Sequence, residues 1–313
     1  MSTKKKVGLG QNNAQSKLFY ALMALIPTLQ FLMFWVYVNI NSFTLAFKTF
    51  PTGISTEYEF GWINFSTWFL DGHILAEQLG HALKVSLKSY FYSLITGVPL
   101  GLFFSYYMFK KMPGSKLFRI LLFMPSILSG AVLATIYKEF TTNVIGGRFG
   151  LAQTLFGKNV NLWRGPTAHP YFMMIFFAIF ASFGTSVLMY TNKMDSIDPE
   201  IIESAHLDGA SGIKEFWYIV FPQAFSIVQV FLLTGFSGIF TNQYNCMMLF
   251  GEGQLPDEVQ PMGYLLWRGV RNAGNNVTQM GYYAALGLMI TFVLAPLTFL
   301  LRWGLGKVGW KEE

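Results

Sequence analysis

Six long apolar stretches limit the folds open to this chain of 313 residues more than any other feature of its sequence. The stretches are 18–38, 86–108, 120–137, 171–191, 223–250 and 281–301. They contain one charged residue, Lys88, although 12% of the whole chain is charged, about half the share of roughly 25% in an average soluble domain. A helix needs about 20 apolar residues to cross a bilayer, so most of the chain is predicted to lie in lipid.

Helices are the predicted form of these stretches, because strands in lipid need a closed barrel and alternating polarity, which the stretches lack. The fold class is therefore an all-α integral membrane protein with six transmembrane helices. We divide it into an N-terminal segment 1–17, a six-helix domain 18–303 and a tail 304–313. Lysines before the first stretch resemble the start of a signal peptide, but that stretch is too long and no A-x-A site follows it. We therefore expect a retained first helix.

The distribution of lysine and arginine predicts the orientation in the membrane, since cytoplasmic loops carry an excess of both. Thirteen of these residues lie in the N-terminal segment, the second and fourth loops and the tail, whereas eight lie in the other loops. Both termini are therefore expected in the cytoplasm.

The loop between the fourth and fifth stretches is predicted to form two short helices joined by a tight turn. Asp198 suits an N-cap, Pro199 suits the first helical position, and Gly209 suits the left-handed residue that follows a helix. Ser211 is predicted to cap a second helix that stops before Pro222. Helices this short are marginal alone in water, so the loop either packs on its own bundle or binds a partner.

The loop 193–222 contains a spaced set of residues: Glu203, Ser204, Ala205, Asp208, Gly209, Ala210, Ser211, Phe216, Ile219 and Pro222. These matching residues resemble the EAA signature of permeases in bacterial ATP-binding cassette (ABC) importers. Ser204 stands where alanine is usual and Phe221 where leucine is usual, and both departures are mild. In that family the loop forms coupling helices that sit in a groove of a separate ATPase subunit. The resemblance thus assigns ATPase coupling to the matching residues other than Ser211 and Ile219.

The resemblance covers roughly residues 80–310 and is closest to the subgroup that imports sugars and oligosaccharides, the maltose-permease-like membrane subunits. It includes Phe118-Arg119 with Pro125, Ser126 and Ser129, Gly150-Leu151 with Leu155, Gly184, and Gly281 with Ala284-Ala285. Two departures concern the substrate: Gly251-Glu252-Gly253 replaces a usual Gly-Gly-Pro, and His81-Ala82-Leu83 replaces Asn-Thr-Leu. They leave the mechanism intact and the identity of the sugar open.

The resemblance implies a type I ABC importer permease in a bacterial cytoplasmic membrane. Such a subunit is not an enzyme, and it forms the translocation path together with a second homologous permease. Its other partners are ABC ATPase subunits, an extracytoplasmic solute-binding protein and a carbohydrate substrate. No cofactor is expected on this chain, because the partner ATPase binds ATP and Mg²⁺, and no nucleic-acid partner is expected.

Motifs that the chain lacks narrow the other possibilities. It has no G-x-x-x-x-G-K-[ST] loop for nucleotide phosphates, so it is not predicted to hydrolyse ATP itself. The histidines His73, His81, His169 and His206 are scattered, and we interpret them as loop residues rather than metal ligands. The alternative function is an ion-coupled secondary transporter or a channel subunit. Ion coupling usually places Asp or Glu within the membrane, and the six stretches contain neither.

Polar residues inside the apolar stretches are the candidates for a solute path, since an unpaired polar group in lipid is costly. They are Ser182, Thr185 and Ser186 in the fourth stretch and Thr241, Asn242, Gln243, Tyr244 and Asn245 in the fifth. Hydroxyl, amide and aromatic groups together suit sugars, which are held by hydrogen bonds and ring contacts. Small and polar residues also pack helices together, so both roles stay open for each residue. In the resembled sugar permeases, the site lies between these two spans.

Overall fold

The computed structural model describes residues 14–51, 57–70, 74–147, 150–156, 160–163, 165, 168–251, 255–256 and 259–308. These residues are predominantly helical, as the predicted all-α membrane fold requires. Residues 1–13 of the predicted N-terminal segment, residues 309–313 of the predicted tail, and His73, Glu252 and Gly253 lie outside the described residues.

The helices follow one another along most of the described chain. The α-helices are α1 Ala14–Gln30, α2 Tyr37–Phe47, α3 Ile63–Ser66, α4 Ile74–Phe109, α5 Ser115–Ile127, α6 Gly130–Glu139, α7 Leu151–Phe156, α8 Pro170–Asp195, α9 Pro199–Leu207, α10 Ile213–Glu215, α11 Phe221–Ser237, α12 Cys246–Phe250, α13 Met262–Ala273 and α14 Val277–Val308. π-helical segments occupy Phe31–Val36, Phe140–Ile145 and Phe216–Val220, and a 3₁₀ turn occupies Thr67–Phe69. Two short strands, β1 Lys48–Thr49 and β2 Glu59–Phe60, pair antiparallel with Lys48 opposite Phe60.

Five helical segments of the described chain are long and apolar enough to cross a membrane. They are Lys17–Phe47, Leu75–Phe109, Pro170–Asp195, Ile213–Ser237 and Val277–Lys307. A sixth crossing arises if the bent pair Ser115–Ile127 and Gly130–Ile145 is counted as one span. The third and fifth predicted stretches therefore differ from the single helices expected for them.

The third stretch, 120–137, is divided between two helices. Leu128 is extended, with φ −76° and ψ 148°, and the helices on either side of this break are bent by 108°. Pro125 lacks an N–H donor and crowds the carbonyl of the preceding turn, which weakens the end of α5. The Ser129 hydroxyl accepts a hydrogen bond from the backbone N–H of Val132 at 3.4 Å and so caps α6. The third predicted span is therefore a bent pair of helices and not one continuous helix over 120–137.

The fifth stretch, 223–250, is also divided, because α11 ends at Ser237. Residues 238–245, here called the polar turn, connect α11 to α12. Tyr244 and Asn245 have φ values of 49° and 58°, a left-handed conformation that an α-helix cannot contain. The Asn242 side-chain oxygen accepts a hydrogen bond from the backbone N–H of Tyr244 at 2.8 Å. Such a local bond competes with helix formation, so the fifth span ends at Ser237 and not at the predicted Phe250.

The centre of the bundle is formed by α4, α8 and α11. Leu102, Tyr190 and Val228, one from each of these helices, belong to one buried apolar cluster. Gly184 allows the backbone of α5 to cross directly against α8, since a Cβ atom there would lie 1.9 Å from the carbonyl oxygen of Leu122. These contacts bring the middle of α4, the middle of α8 and the end of α11 together around a common space.

A buried asparagine and a tryptophan brace the N-terminal helices against α14. The Asn64 amide donates hydrogen bonds to the carbonyl oxygens of Ala46 at 2.9 Å and Lys48 at 2.8 Å. The Trp68 indole N–H donates to the carbonyl oxygen of Tyr282 at 2.8 Å. The end of α2 and the turn after α3 are thereby fixed to the core of the bundle.

Candidate functional site

A cavity of about 460 Å³ lies between α4, α8, α11 and the polar turn. Five predicted path residues line it: Ser182, Ser186, Asn242, Tyr244 and Asn245. Aromatic rings of α4, α8 and α11 contribute to the same lining. The volume falls within the range of roughly 300–1,000 Å³ that is typical of small-molecule sites. The structure therefore brings most of the polar residues chosen from the two stretches into one space.

Local hydrogen bonds determine which polar groups of this cavity remain available. The Ser182 hydroxyl donates to the carbonyl oxygen of Ala178 at 2.9 Å, and the Ser186 hydroxyl donates to that of Ser182 at 3.2 Å. Both hydroxyl oxygens can still accept hydrogen bonds. The Asn242 side-chain oxygen is engaged by the N–H of Tyr244, which leaves its two amide N–H donors for other partners. Acceptors on α8 and donors on the polar turn together suit a ligand with hydroxyl groups.

Helix α4 supplies a wall of the cavity that the sequence reasoning missed. The wall consists of Tyr90, Ser93, Leu94, Gly97 and Val98. These residues follow the i, i+3, i+4, i+7, i+8 spacing of one helical face. Tyr, Ser and Gly recurring on one face of an apolar stretch are a detectable signal, but it is lost when the stretch is assessed only by its overall hydrophobicity.

Three predicted path residues do not line this cavity. Thr241 and Gln243 face a second cavity of about 420 Å³, whose lining also includes Trp267 and Arg271 of α13. From Thr241 to Tyr244, the polar turn thus directs alternate residues to opposite sides and separates the two cavities. Thr185 is exposed and lines neither cavity.

Gly263 of α13 holds the polar turn in place through direct backbone contact. A Cβ atom at this position would lie 2.3 Å from the carbonyl oxygen of Thr241 and 2.6 Å from that of Asn242. Gly263 is buried, so this contact is not relieved by solvent. The position of Asn242 in the first cavity therefore depends on a residue without a side chain in a separate helix.

The loop with the EAA-like signature forms the second part of the candidate site. Its first predicted helix is confirmed as α9: Asp198 caps it by accepting a hydrogen bond from the N–H of Glu200 at 3.0 Å. Gly209 has a φ of 80°, as predicted for the residue that ends the helix. The N–H of Ala210 donates to the carbonyl oxygen of Ala205 at 2.9 Å, which closes the turn.

The second predicted helix of this loop differs from the expectation. Gly212, and not Ser211, occupies its N-cap, with φ 58° and no side-chain capping bond. The helix also does not stop before Pro222, because α10, the π-helical segment Phe216–Val220 and α11 form one continuous helical segment. A π-helical turn is wider than an α-helical one, which relieves the clash that the Pro222 ring would otherwise make with the preceding turn.

The predicted coupling residues divide into an exposed set and a packed set. Glu203, Ser204, Asp208 and Gly209 are exposed, Ala205 is buried, and Ala210, Phe216 and Pro222 are half-buried. Phe216 packs against the Tyr106 ring of α4, with ring centroids 5.1 Å apart. Leu207 and Ile213, which flank the turn, are 89% and 78% exposed. The loop thus presents apolar side chains beside an acidic one on an uncovered surface.

The interpretation as a loop residue is wrong for His81, which lies in α4, whereas His206 lies in α9, a helix within the loop 193–222. His169 occupies the N-cap of α8, as a loop residue can. No group of three or more His, Cys, Asp or Glu side chains among the described residues could hold a metal ion.

Known proteins resemble this chain over most of its length. The family described as binding-protein-dependent transport system inner membrane component matches residues 97–306. The chain is 24% identical over 280 residues to the multiple sugar-binding transport system permease protein MsmF of Streptococcus mutans, which covers 87% of this chain and 90% of the relative. It is also 24% identical over 280 residues to the arabinooligosaccharides transport system permease protein AraP of Bacillus subtilis, with coverages of 85% and 82%.

The fold is similar to that of a chain in the crystal structure of a bacterial alginate ABC transporter in complex with alginate pentasaccharide-bound periplasmic protein. The TM-score is 0.72 at 18% sequence identity, covering 92% of this chain and 93% of the other. None of these comparisons supports an ion-coupled transporter or a channel. The family match includes α8, α9, α11 and α13, and therefore the EAA-like loop and the lining of the first cavity apart from Tyr90, Ser93 and Leu94. The chain belongs to the family of binding-protein-dependent transport system inner membrane components, and it is a multi-pass membrane permease.

Proposed function

We propose that this chain forms the path through which an ATP-driven, binding-protein-dependent importer carries an oligosaccharide into a bacterial cell. The observation that carries the proposal is the cavity between α4, α8 and α11, with hydroxyl acceptors, amide donors and aromatic rings in its lining. A sugar ring needs this combination, because its hydroxyl groups exchange hydrogen bonds and its apolar face stacks on aromatic side chains.

The relatives support the saccharide as the class of solute. MsmF and AraP are named for multiple sugars and for arabinooligosaccharides, and the similar structure comes from an alginate transporter. Among the described residues that line the first cavity, none is Asp, Glu, Lys or Arg. A wall without charges favours a solute, or a part of a solute, that is neutral at this depth.

The exposed surface of α9 is proposed as the docking site of an ATPase subunit. Leu207 and Ile213 are large apolar side chains on a segment that follows the predicted membrane span, and Glu203 lies near them in sequence. Apolar anchors with polar surroundings are typical of protein interfaces. The ATPase is proposed to bind ATP and Mg²⁺, so that this chain carries no cofactor and hydrolyses nothing itself.

Both termini are proposed to face the cytoplasm, with α9 on the same side. The ion pairs at this end of the bundle include Lys110 with Glu215 at 2.9 Å and Arg119 with Asp195 at 3.9 Å. They bring the second and fourth loops together, which are two of the basic segments counted in the sequence. A second homologous permease and an extracytoplasmic solute-binding protein are proposed to complete the importer.

The experiment that tests this function is uptake by proteoliposomes containing the chain with the second permease, the ATPase and the binding protein encoded by neighbouring genes. Tritiated neutral and uronate-containing tri- to pentasaccharides serve as probes, and sn-glycerol 3-phosphate serves as a competing solute class. We expect uptake of at least one saccharide to require both ATP and the binding protein, and to be unaffected by ionophores.

Two results would contradict the proposal. Saccharide uptake driven by an ion gradient in vesicles without the ATPase would contradict the ATP-driven mechanism. ATP-dependent uptake of sn-glycerol 3-phosphate with no uptake of any saccharide would agree with an ATP-driven importer but would contradict a saccharide as its solute.

A further inference from the structure

A completely buried carboxylate lies where α9, α4 and the start of the α10–α11 segment meet. The Glu215 side chain is 0% exposed. Its two oxygens lie 3.0 and 2.9 Å from the Lys110 ammonium nitrogen, just past the end of α4. One of them also lies 2.7 Å from Nε2 of His206 in the last turn of α9. One carboxylate therefore contacts groups from two other elements that are far apart in sequence.

Burial of the Glu215 charge requires these contacts in the folded segment between α9 and α11. An isolated ionised carboxylate is costly to bury, whereas one with an ion pair and further hydrogen bonds is tolerated. Lys110 and His206 are themselves 27% and 43% exposed, so Glu215 is the buried centre of the group and its partners lie at the edge. Moving α9 away from α4 would require one of these contacts to break.

A second contact strengthens the link between α4 and this region. The Tyr106 hydroxyl, one turn before Lys110, donates to the carbonyl oxygen of Gly212 at 2.9 Å. The end of α4 thus holds the segment between α9 and α11 at two points. The middle of the same long helix lines the first cavity with Tyr90, Ser93 and Gly97.

We propose that Glu215 is a positioning residue that transmits displacement of α9 to α4, and through α4 to the wall of the solute cavity. The path runs from His206 on α9 through Glu215 to Lys110, the residue that follows α4. This inference rests on the proposed function, because it requires an ATPase that moves α9. Ile202 of α9 also packs on the apolar cluster of the bundle, and the Glu215 link adds a polar connection to α4 beside that contact.

The test measures ATP hydrolysed per saccharide imported by the full complex in proteoliposomes. Glu215→Gln keeps the size of the side chain and removes its charge, and we expect it to retain most ATP hydrolysis while import falls at least tenfold. Lys110→Met and His206→Asn each remove one of the two side chains that contact the Glu215 carboxylate. Lys110→Arg keeps a cationic donor and is expected to retain coupling. Lys111→Met is the matched control, because no ion pair of Lys111 is present among the described residues.

The double variant Lys110→Met/His206→Asn separates transmission from mere stabilisation. If both contacts belong to one path, losing the second has no further effect once the first is lost. Import by the double variant should then equal that of the more severe single variant. Independent destabilisations would instead multiply, and thermal unfolding of each complex would report them directly. A double variant whose loss of import is the product of the single losses overturns the proposal, as does normal import by Glu215→Gln.

Two further outcomes concern failed assembly of a variant and absence of import by the wild-type complex. If Glu215→Gln does not assemble with its ATPase, Lys110→Met decides, since Glu215 keeps His206 there, and normal coupling in that variant overturns the proposal. A wild-type complex that shows no ATP-dependent import contradicts the proposed function itself, which is a different result from a coupled wild type with unaffected variants.

Discussion

Replacement of Gly263 by alanine should lower the affinity for solute without adding any group to the first cavity. The new Cβ atom would lie 2.3 Å from the carbonyl oxygen of Thr241 and 2.6 Å from that of Asn242. An ordinary contact needs about 3.4 Å, so either α13 or the polar turn must move by about 1 Å. Gly263 is buried in α13 beside the fully buried Met262 and Tyr264, whereas Thr241 and Asn242 are exposed. The polar turn is therefore the part that moves.

The size of the effect follows from the cost of adding a methyl group to a packed site. Such overpacking typically costs about 1–3 kcal/mol. If that strain displaces the polar turn from the arrangement that binds solute, affinity falls by roughly 5- to 150-fold, since about 1.4 kcal/mol corresponds to a factor of ten. We expect the saccharide concentration for half-maximal uptake to rise by this factor.

The assay is the saccharide dependence of ATP-driven uptake in proteoliposomes, with basal ATP hydrolysis and thermal unfolding measured on the same preparations. Gly287→Ala is the matched control, because a Cβ atom at that position in α14 meets no atom within 4 Å. Basal hydrolysis by Gly263→Ala should stay near that of the control. Equal half-saturation values for the two variants would refute the role assigned to Gly263.

Three further predictions concern the cavity, the turn after α9 and the orientation. Asn242→Ala should reduce uptake with ATPase assembly intact, whereas Asn275→Ala, in the exposed turn before α14, should not; equal uptake would make Asn242 a packing residue. Gly209→Val places a β-branched side chain at φ 80°, at a cost of roughly 1–2 kcal/mol, and should lower co-purification of the ATPase and uptake together. Normal values for both would leave the loop as a surface hairpin. Cysteines at Ser211 and at Asn275 should be labelled from the cytoplasm and from outside respectively, because native Cys246 is buried; the reverse pattern would invert the orientation.

Local chemistry made one part of the candidate site predictable from the sequence. The cap at Asp198, Pro199 at the helix start and Gly209 after the helix each act within a few residues, so α9 could be placed before the structure was known. The breaks at Leu128 and after Ser237 were missed because the hydrophobicity of a stretch does not reveal where its backbone leaves the helical conformation. At the first break, a proline and a serine cap interrupt the helix. At the second, a turn with an asparagine side-chain hydrogen bond ends it.

Contacts between distant parts of the chain lay beyond sequence reasoning. Glu215 and Lys110 are separated by 105 residues, and their meeting depends on how α4 and the α10–α11 segment pack. The face of α4 that lines the cavity could have been recognised from its spacing. That Thr241 and Gln243 face a different cavity from Asn242 could not, because it depends on the backbone of the polar turn and on Gly263.

The π-helical segment Phe216–Val220 sets the angle between Glu215 and the cavity face of α11. A π-helical turn corresponds to one extra residue inserted into an α-helix. The wider turn absorbs that residue, so deleting one residue there would return the segment to an α-helix with little rotation between Glu215 and α11. Deleting a second residue would leave no wide turn to absorb the change, and everything before the deletion would then rotate by about 100° relative to everything after it. Among homologous chains, a single-residue gap in this segment should therefore be found together with a regular α-helical turn and an unchanged spatial relation between the positions of Glu215 and Lys110.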